Sequence, residues 1–330
     1  MLGCDDPENC RFTIGDGLVI RKPLPSDFEY EVPEYDYRSA DHDILLNYQG
    51  SDAILELSYA SKVGDKSSPA DAQVMIDIRN LINCLRLFKL GSINPFYIEY
   101  DQLIKNLLLI GNRVDRTAAA KSLYKYSLGK EDKDRLTDFV KLIRALLPTS
   151  EGISEAENKK RNPDRPLYIA LERYYDSLSD IEGIDHQISS AVTCLEALYL
   201  TGDAELSFRL QLRVAGLLRF ARFDDLTTPS DIREDVKTAY GIRSSFAHGS
   251  FIEEENLKKS SDLAKKVVDY ARRSLLLFLQ LKRLIDNNNK YLSDYGLKAD
   301  IINMIDDSLL DLCAYNKLEN LVLTHCQFLE

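Results

Sequence analysis

"TTPSDIREDVKTAYGIRSSFAHGS", residues 227–250, carries its own punctuation for a helix. Thr228 stands at the N-cap, Pro229 at the first helical position, and Asp231 three residues after the cap completes a capping box, which supplies acceptors to otherwise orphaned amides. Ile232, Val236, Ala239, Ile242 and Phe246 recur at steps of three and four and so share one face, the one expected to be buried. Gly249 suits the left-handed residue that closes a helix, so the end is expected near His248. Arg243 and His248 lie five positions apart in these last turns. On an ideal helix five residues rotate a side chain by about 140° and advance it by roughly 7.5 Å, so the two do not share a face. They converge only where the helix end bends or a second chain contributes, and Gly249 permits such a bend.

Working outward, the neighbouring segments are also helical in spacing. Ile188, Ala191, Val192, Leu195 and Tyr199 form one stripe over 187–200. Residues 203–223 carry a stripe of Leu206, Leu210, Val214, Leu217 and Ala221 and a second line through Phe208, Leu212 and Ala215, which predicts a helix buried over much of its circumference. A long helix is expected over about 257–286, ended by "DNNNKYLSDYG", and the last forty residues read as one more amphipathic helix and a tail. No repeat of twenty to fifty residues suggests a solenoid.

The chain before residue 150 has a different texture. "GLVI" (17–20), "AILELSYA" (53–60) and "INPFYIEYD" (93–101) read as strands. Ser68, Pro69 and Asp71 start a helix that runs from about 69 to 90 before Gly91. After "INPFYIEYD" the pattern reads as further helix up to "LTDFVKLIRALLP". The stretch 148–165 gathers proline, glycine and charge without apolar period, which marks a boundary. The expected organisation is a β-rich then helical domain at 1–150, a linker at 151–164, a helical domain at 165–286, and a C-terminal helix and tail at 287–330. The fold class is mainly α, with a smaller mixed α/β N-terminal domain.

Composition limits the function. The chain has 330 residues, 45% hydrophobic and 29% charged, with a net charge of −11. An average surface of that sign repels polyanions, so broad nucleic-acid coating is disfavoured and any contact must be local. Between Asp203 and Arg243 there are seven acidic and seven basic residues, a neutral stretch inside an acidic chain. The six cysteines form no C-x-x-C pair, and no histidine stands at metal-ligand spacing from them. Reduced thiols in a cytosol follow. No basic start precedes an apolar stretch at the N-terminus, and charges interrupt the most apolar helix, so a cytoplasmic protein without membrane attachment is expected.

Arg243 and His248 together suffice for phosphodiester chemistry. An imidazole titrates near neutrality and can take the proton of a ribose 2′-hydroxyl, and a guanidinium can grip a phosphate oxygen. No cofactor and no metal are called for. The plainer alternative is a helix end: a cation there is favoured by the dipole, which makes His248 a cap and Arg243 a paired surface charge. Arg209 and Arg213, four apart on a mostly apolar helix, each want an anion, and Glu196 among apolar neighbours wants a cation. A salt bridge from Glu196 to Arg209 or Arg213 is the first expectation, with Arg243 as a third possible partner, and phosphate contact by Arg209 or Arg213 is the second. "SADHD" (Asp41, His42, Asp43) reads as a solvated acidic turn, and His186 and His325 have no evident partner.

The segments "AVTCLEALYL" (191–200), "AELSFRLQLRVAGLL" (204–218) and "AYGIRSSFAHGS" (239–250), in that order, resemble the HEPN superfamily, specifically its ApeA-like branch, over about residues 165–285. The resemblance implies a helical bundle that forms a homodimer and a metal-independent endoribonuclease, of the toxin or phage-defence kind, cleaving RNA to 2′,3′-cyclic phosphate ends. It implies Arg243 and His248 as the catalytic pair, with Ser244 following the arginine where active members most often carry Asn, Asp or His. Tyr240, Glu196, Arg209 and Arg213 stand as supporting or substrate-binding candidates. The alternative reading is a non-catalytic HEPN dimer that binds RNA, a nucleotide or a protein partner.

Overall fold

The computed structural model describes residues 11–14, 18–22, 53–57, 69–91, 93–100, 106–111, 126–148, 165–178, 183–202, 204–221, 227–249, 257–287 and 297–329. These residues are mainly helical, and the chain divides into two compact units, Met1–Arg144 and Ala145–Glu330. The acidic turn at 41–43 and the cap residue Ser68 lie outside the described residues.

The first unit contains strands β1 (Arg11–Thr13), β2 (Leu18–Arg21), β3 (Ala53–Leu57), β4 (Asn94–Tyr100) and β5 (Asn106–Gly111) and helices α1 (Pro69–Phe88) and α2 (Asp132–Arg144). The strands join in the order β1-β2-β3-β5-β4, antiparallel at every step, with a bulge between Pro95 and Tyr97. Asn106–Gly111 is a strand where the sequence pattern suggested helix. Four consecutive apolar residues, Leu107 to Ile110, carry no period that separates a covered strand from a covered helix turn; pairing with β3 and β4 decides it. Helices α1 and α2 bury Leu81, Leu85, Leu136, Phe139 and Ile143. The rings of Phe88 and Phe139 meet edge to face at 5.2 Å, and Arg144 pairs with Asp77 at 2.6 Å.

The second unit is built from α3 (Arg165–Ser177), α4 (Ile184–Tyr199), α5 (Leu206–Leu218), α6 (Pro229–Ala247), α7 (Leu257–Asn287), α8 (Leu297–Leu310) and α9 (Leu312–His325). Helix α4 packs against α3, α6 and α7, α5 against α6 and α8, and α9 against α8. The α4 stripe read from the sequence is fully buried, from Ile188 to Tyr199. The middle of α7 is enclosed on all sides, every residue from Ala271 to Leu281 being buried. A helix so placed must satisfy its polar side chains internally. Arg272 and Arg273 both pair with Asp269 at 2.7 Å, Ser274 accepts the Tyr199 hydroxyl at 2.9 Å, and Gln280 exchanges two hydrogen bonds with the backbone of Gln327.

Three expectations need correction here. The C-terminal segment holds two helices, because Asp311 leaves helical geometry and its side chain caps Cys313, starting α9 afresh. Phe208, expected within a second apolar line, is 57% exposed, and Leu212 on the same line is half-buried; the first buried residue of α5 is Leu210. On α6, Ile232, Val236 and Ala239 are buried, but Ile242 and Phe246 are only half-covered, since cover over the last two turns is incomplete.

No described helix is long and apolar enough to cross a membrane.

Candidate functional site

The motif helix α6 is set by local chemistry at both ends. Thr228 accepts from the Asp231 amide at 3.2 Å, and the Asp231 carboxylate accepts from the Thr228 amide at 2.9 Å and its hydroxyl at 2.6 Å. The hydroxyl bond, then the backbone bond, hold the Asp231 carboxyl below the usual carboxylate range. At the other end His248 is the C-cap with φ −96° and ψ 10°, and Gly249 takes φ +80°, where a side chain would be strained. The His248 amide reaches the Ser244 carbonyl at 3.3 Å and the Ser245 carbonyl at 3.1 Å, and the Gly249 amide reaches Phe246 at 2.9 Å. The last turn is therefore wound tightly, and His248 ends it exposed to solvent.

Arg243 reaches to α4. Its NH2 donates to Glu196 Oε2 at 3.1 Å, with the arginine side chain 33% exposed and the glutamate 16%. Burial pushes the Glu196 carboxyl up, and the Arg243 guanidinium opposes that rise through its charge and its hydrogen bond. Of the three arginines expected as partners of Glu196, it is Arg243 that makes the bridge, and Arg209 and Arg213, the two favoured first, do not. The other two arginines are engaged elsewhere, Arg213 with another helix and Arg209 in the loop before its own helix. Arg213, buried on α5, donates Nε and NH2 to Asp306 at 2.8 and 2.6 Å and NH1 to the Tyr199 carbonyl at 2.8 Å. Arg209 donates to the Ala204 carbonyl at 3.1 Å and to Thr201 Oγ1 at 3.2 Å, closing the loop after α4.

Among the candidates, the structure brings together Glu196 and Arg243, and leaves Arg213 in a structural fork and Arg209 in a loop clasp. Ser244 and Tyr240 are half-exposed on α6. One residue without an evident partner in the sequence joins the site: the His186 ring, in the first turn of α4, lies edge-on to Phe246 at 6.3 Å. Only the crossing of α4 and α6 places residues sixty positions apart in contact. His325 is exposed at the end of α9. Among the described residues no group of three or more His, Cys, Asp or Glu is arranged to hold a metal.

Chemically, α6 presents an exposed imidazole at its end and a guanidinium tethered by one nitrogen. Apart from the bond to Glu196, the Arg243 guanidinium makes no hydrogen bond among the described residues, and an arginine has five N–H donors. The chain matches no family model, no curated protein and no solved structure.

Proposed function

We propose that the second unit is a HEPN-type bundle acting as a metal-independent endoribonuclease, and that it works as a homodimer in the cytoplasm. The observation that carries this reading is the state of Arg243: it is held in place by Glu196 yet one-third exposed, with donors left over for a phosphate, on the same helix that ends in exposed His248. In the reaction the His248 imidazole takes the proton of a ribose 2′-hydroxyl. The 2′-oxygen then bonds to phosphorus, the bond from phosphorus to the 5′-oxygen breaks, and that oxygen takes up a proton. The products are a 2′,3′-cyclic phosphate and a 5′-hydroxyl. Arg243 offsets the charge that builds on the phosphorane oxygens. Because Arg243 is drawn to Glu196 on α4 while His248 ends α6 exposed, a two-fold dimer supplies the convergence by setting two motifs around one cleft. The defence or toxin role rests on the HEPN resemblance alone.

The test is cutting of single-stranded RNA in the presence of a chelator. His248→Ala is expected to lower cutting by about 10²–10⁴-fold, the range of a general acid–base group, with thermal stability unchanged. Arg243→Lys is expected to recover little, because a point charge does not reproduce a two-pronged grip. Unchanged cutting by His248→Ala would assign α6 the plainer role of a structural helix end. The second reading is a non-catalytic dimer that binds RNA, a nucleotide or a protein partner; Ser244 after the arginine and the net charge of −11 favour it.

A further inference from the structure

We propose that Glu196 is a positioning residue for Arg243: it fixes one edge of the guanidinium so that the remaining donors are presented to a phosphate group of an RNA strand. The inference rests on the endoribonuclease reading and deepens it by assigning a role to a residue on a different helix.

The argument starts from what an unrestrained arginine does. Its long side chain holds about 2 kcal/mol of rotamer entropy, and a guanidinium that must find its geometry at the moment of reaction loses that freedom then. A partner that restrains it beforehand removes the loss, provided it leaves donors available. Glu196 meets both conditions. Its side chain is 16% exposed and sits on α4 between Leu195 and Leu198, both essentially buried, so its own rotamer is confined by packing. It takes a hydrogen bond from NH2 alone, at 3.1 Å. A structural fork looks different, as Arg213 shows: there Nε and NH2 are both given to Asp306, NH1 goes to a backbone carbonyl, and the side chain is 7% exposed. Of the two ion pairs, the one on α6 holds the cation by a single nitrogen and leaves it one-third open to solvent.

The chemistry fixes the order of effects. A carboxylate holds the guanidinium by a charge-assisted bond, a carboxamide at the same place by a weaker neutral one, and a methyl group not at all.

The experiment measures steady-state cutting of a short single-stranded RNA by wild type, Glu196→Gln and Glu196→Ala, each with its melting temperature. The expected order of kcat is Glu, then Gln, then Ala, with Ala lower than wild type by about tenfold or more, KM changed far less, and melting temperatures alike. Equal kcat in all three, or a loss of kcat that follows a loss of melting temperature, overturns the proposal. Should Glu196→Ala fail to fold, Glu196→Gln decides by the same criterion. A second readout separates positioning from mere stability: guanidinium ion at tens of millimolar is expected to restore cutting to Arg243→Ala but not to Arg243→Ala/Glu196→Ala. Restoration in both, or in neither, counts against the role. If wild type cuts no RNA, the endoribonuclease reading fails by itself, and the positioning role is then read from binding of 2′-O-methyl RNA. Weaker binding by Glu196→Ala, by about tenfold, supports it, and equal binding overturns it.

Discussion

Removing the Asp306 carboxylate should loosen the second unit by an amount that its geometry allows to be bounded. Arg213 is 7% exposed and gives Nε and NH2 to the two Asp306 oxygens at 2.8 and 2.6 Å, across the contact between α5 and α8. In Asp306→Ala both donors lose their acceptors, while NH1 keeps the Tyr199 carbonyl. A hydrogen bond to a charged group contributes about 1.5–3 kcal/mol, which would put the pair near 3–6 kcal/mol if it were enclosed. Asp306 is 40% exposed, however, so water can approach the abandoned donors and solvent already screens the pair. The discounted expectation is about 2–3 kcal/mol, which for a unit of this size lowers the melting temperature by about 4–12 °C. Arg213→Ala should cost more, about 3–5 kcal/mol, since it also uncaps the Tyr199 carbonyl and leaves a void in α5. Urea unfolding followed by far-ultraviolet circular dichroism, with the slope constant across variants, measures both. A change below about 0.5 kcal/mol for Asp306→Ala would mean that the fork is screened as fully as a surface pair, and the reasoning from burial would be wrong. So would an Arg213→Ala milder than Asp306→Ala.

Two further outcomes follow from local geometry. Thr228→Ala removes the hydroxyl half of the capping box on α6, leaving the amide bond to Asp231, and is expected to cost about 1 kcal/mol. The same change removes the hydroxyl bond, the larger of the two causes that hold the Asp231 carboxyl low, while the amide bond stays, so its titration, followed by carboxyl-carbon NMR, should move part of the way up toward 3.8. The sign follows from linkage. A carboxyl held low in the folded state contributes stability above 3.8 that is lost as pH falls, and Thr228→Ala should flatten that part of the acid limb. Among the thiols, Cys313 is exposed, whereas burial pushes the Cys194 thiol far up and the Cys84 thiol up to about 12. Peptide mapping after brief alkylation at neutral pH should find Cys313 modified and Cys84 and Cys194 untouched until denaturant is added; early modification of Cys194 would show that α4 is not enclosed as described.

Much of the second unit was legible because its signals are local. The Thr228, Pro229 and Asp231 triplet starts α6 wherever the chain goes, and a glycine at 249 can take the left-handed turn whatever surrounds it. The stripe from Ile188 to Tyr199 follows from helical period alone. What the pattern could not decide depends on the path of the chain through space. Residues 106–111 are four apolar residues and two neighbours until β3 and β4 pair with them. Phe208 has the character of a core residue and lies exposed because the first turn of α5 is not covered, its first buried residue being Leu210. The charges are the clearest case. The sequence establishes that Glu196, Arg209 and Arg213 each need a partner, since an unpaired charge among apolar side chains is costly. Which partner Glu196 and Arg213 receive is decided by the crossing of α4 with α6 and of α5 with α8, because ion pairs form between neighbours in space and a helix period records only neighbours along the chain; Arg209 meets only neutral acceptors five and eight positions away. Asp306 stands 93 residues beyond the arginine it neutralises, and Glu196 stands 47 before the arginine it holds.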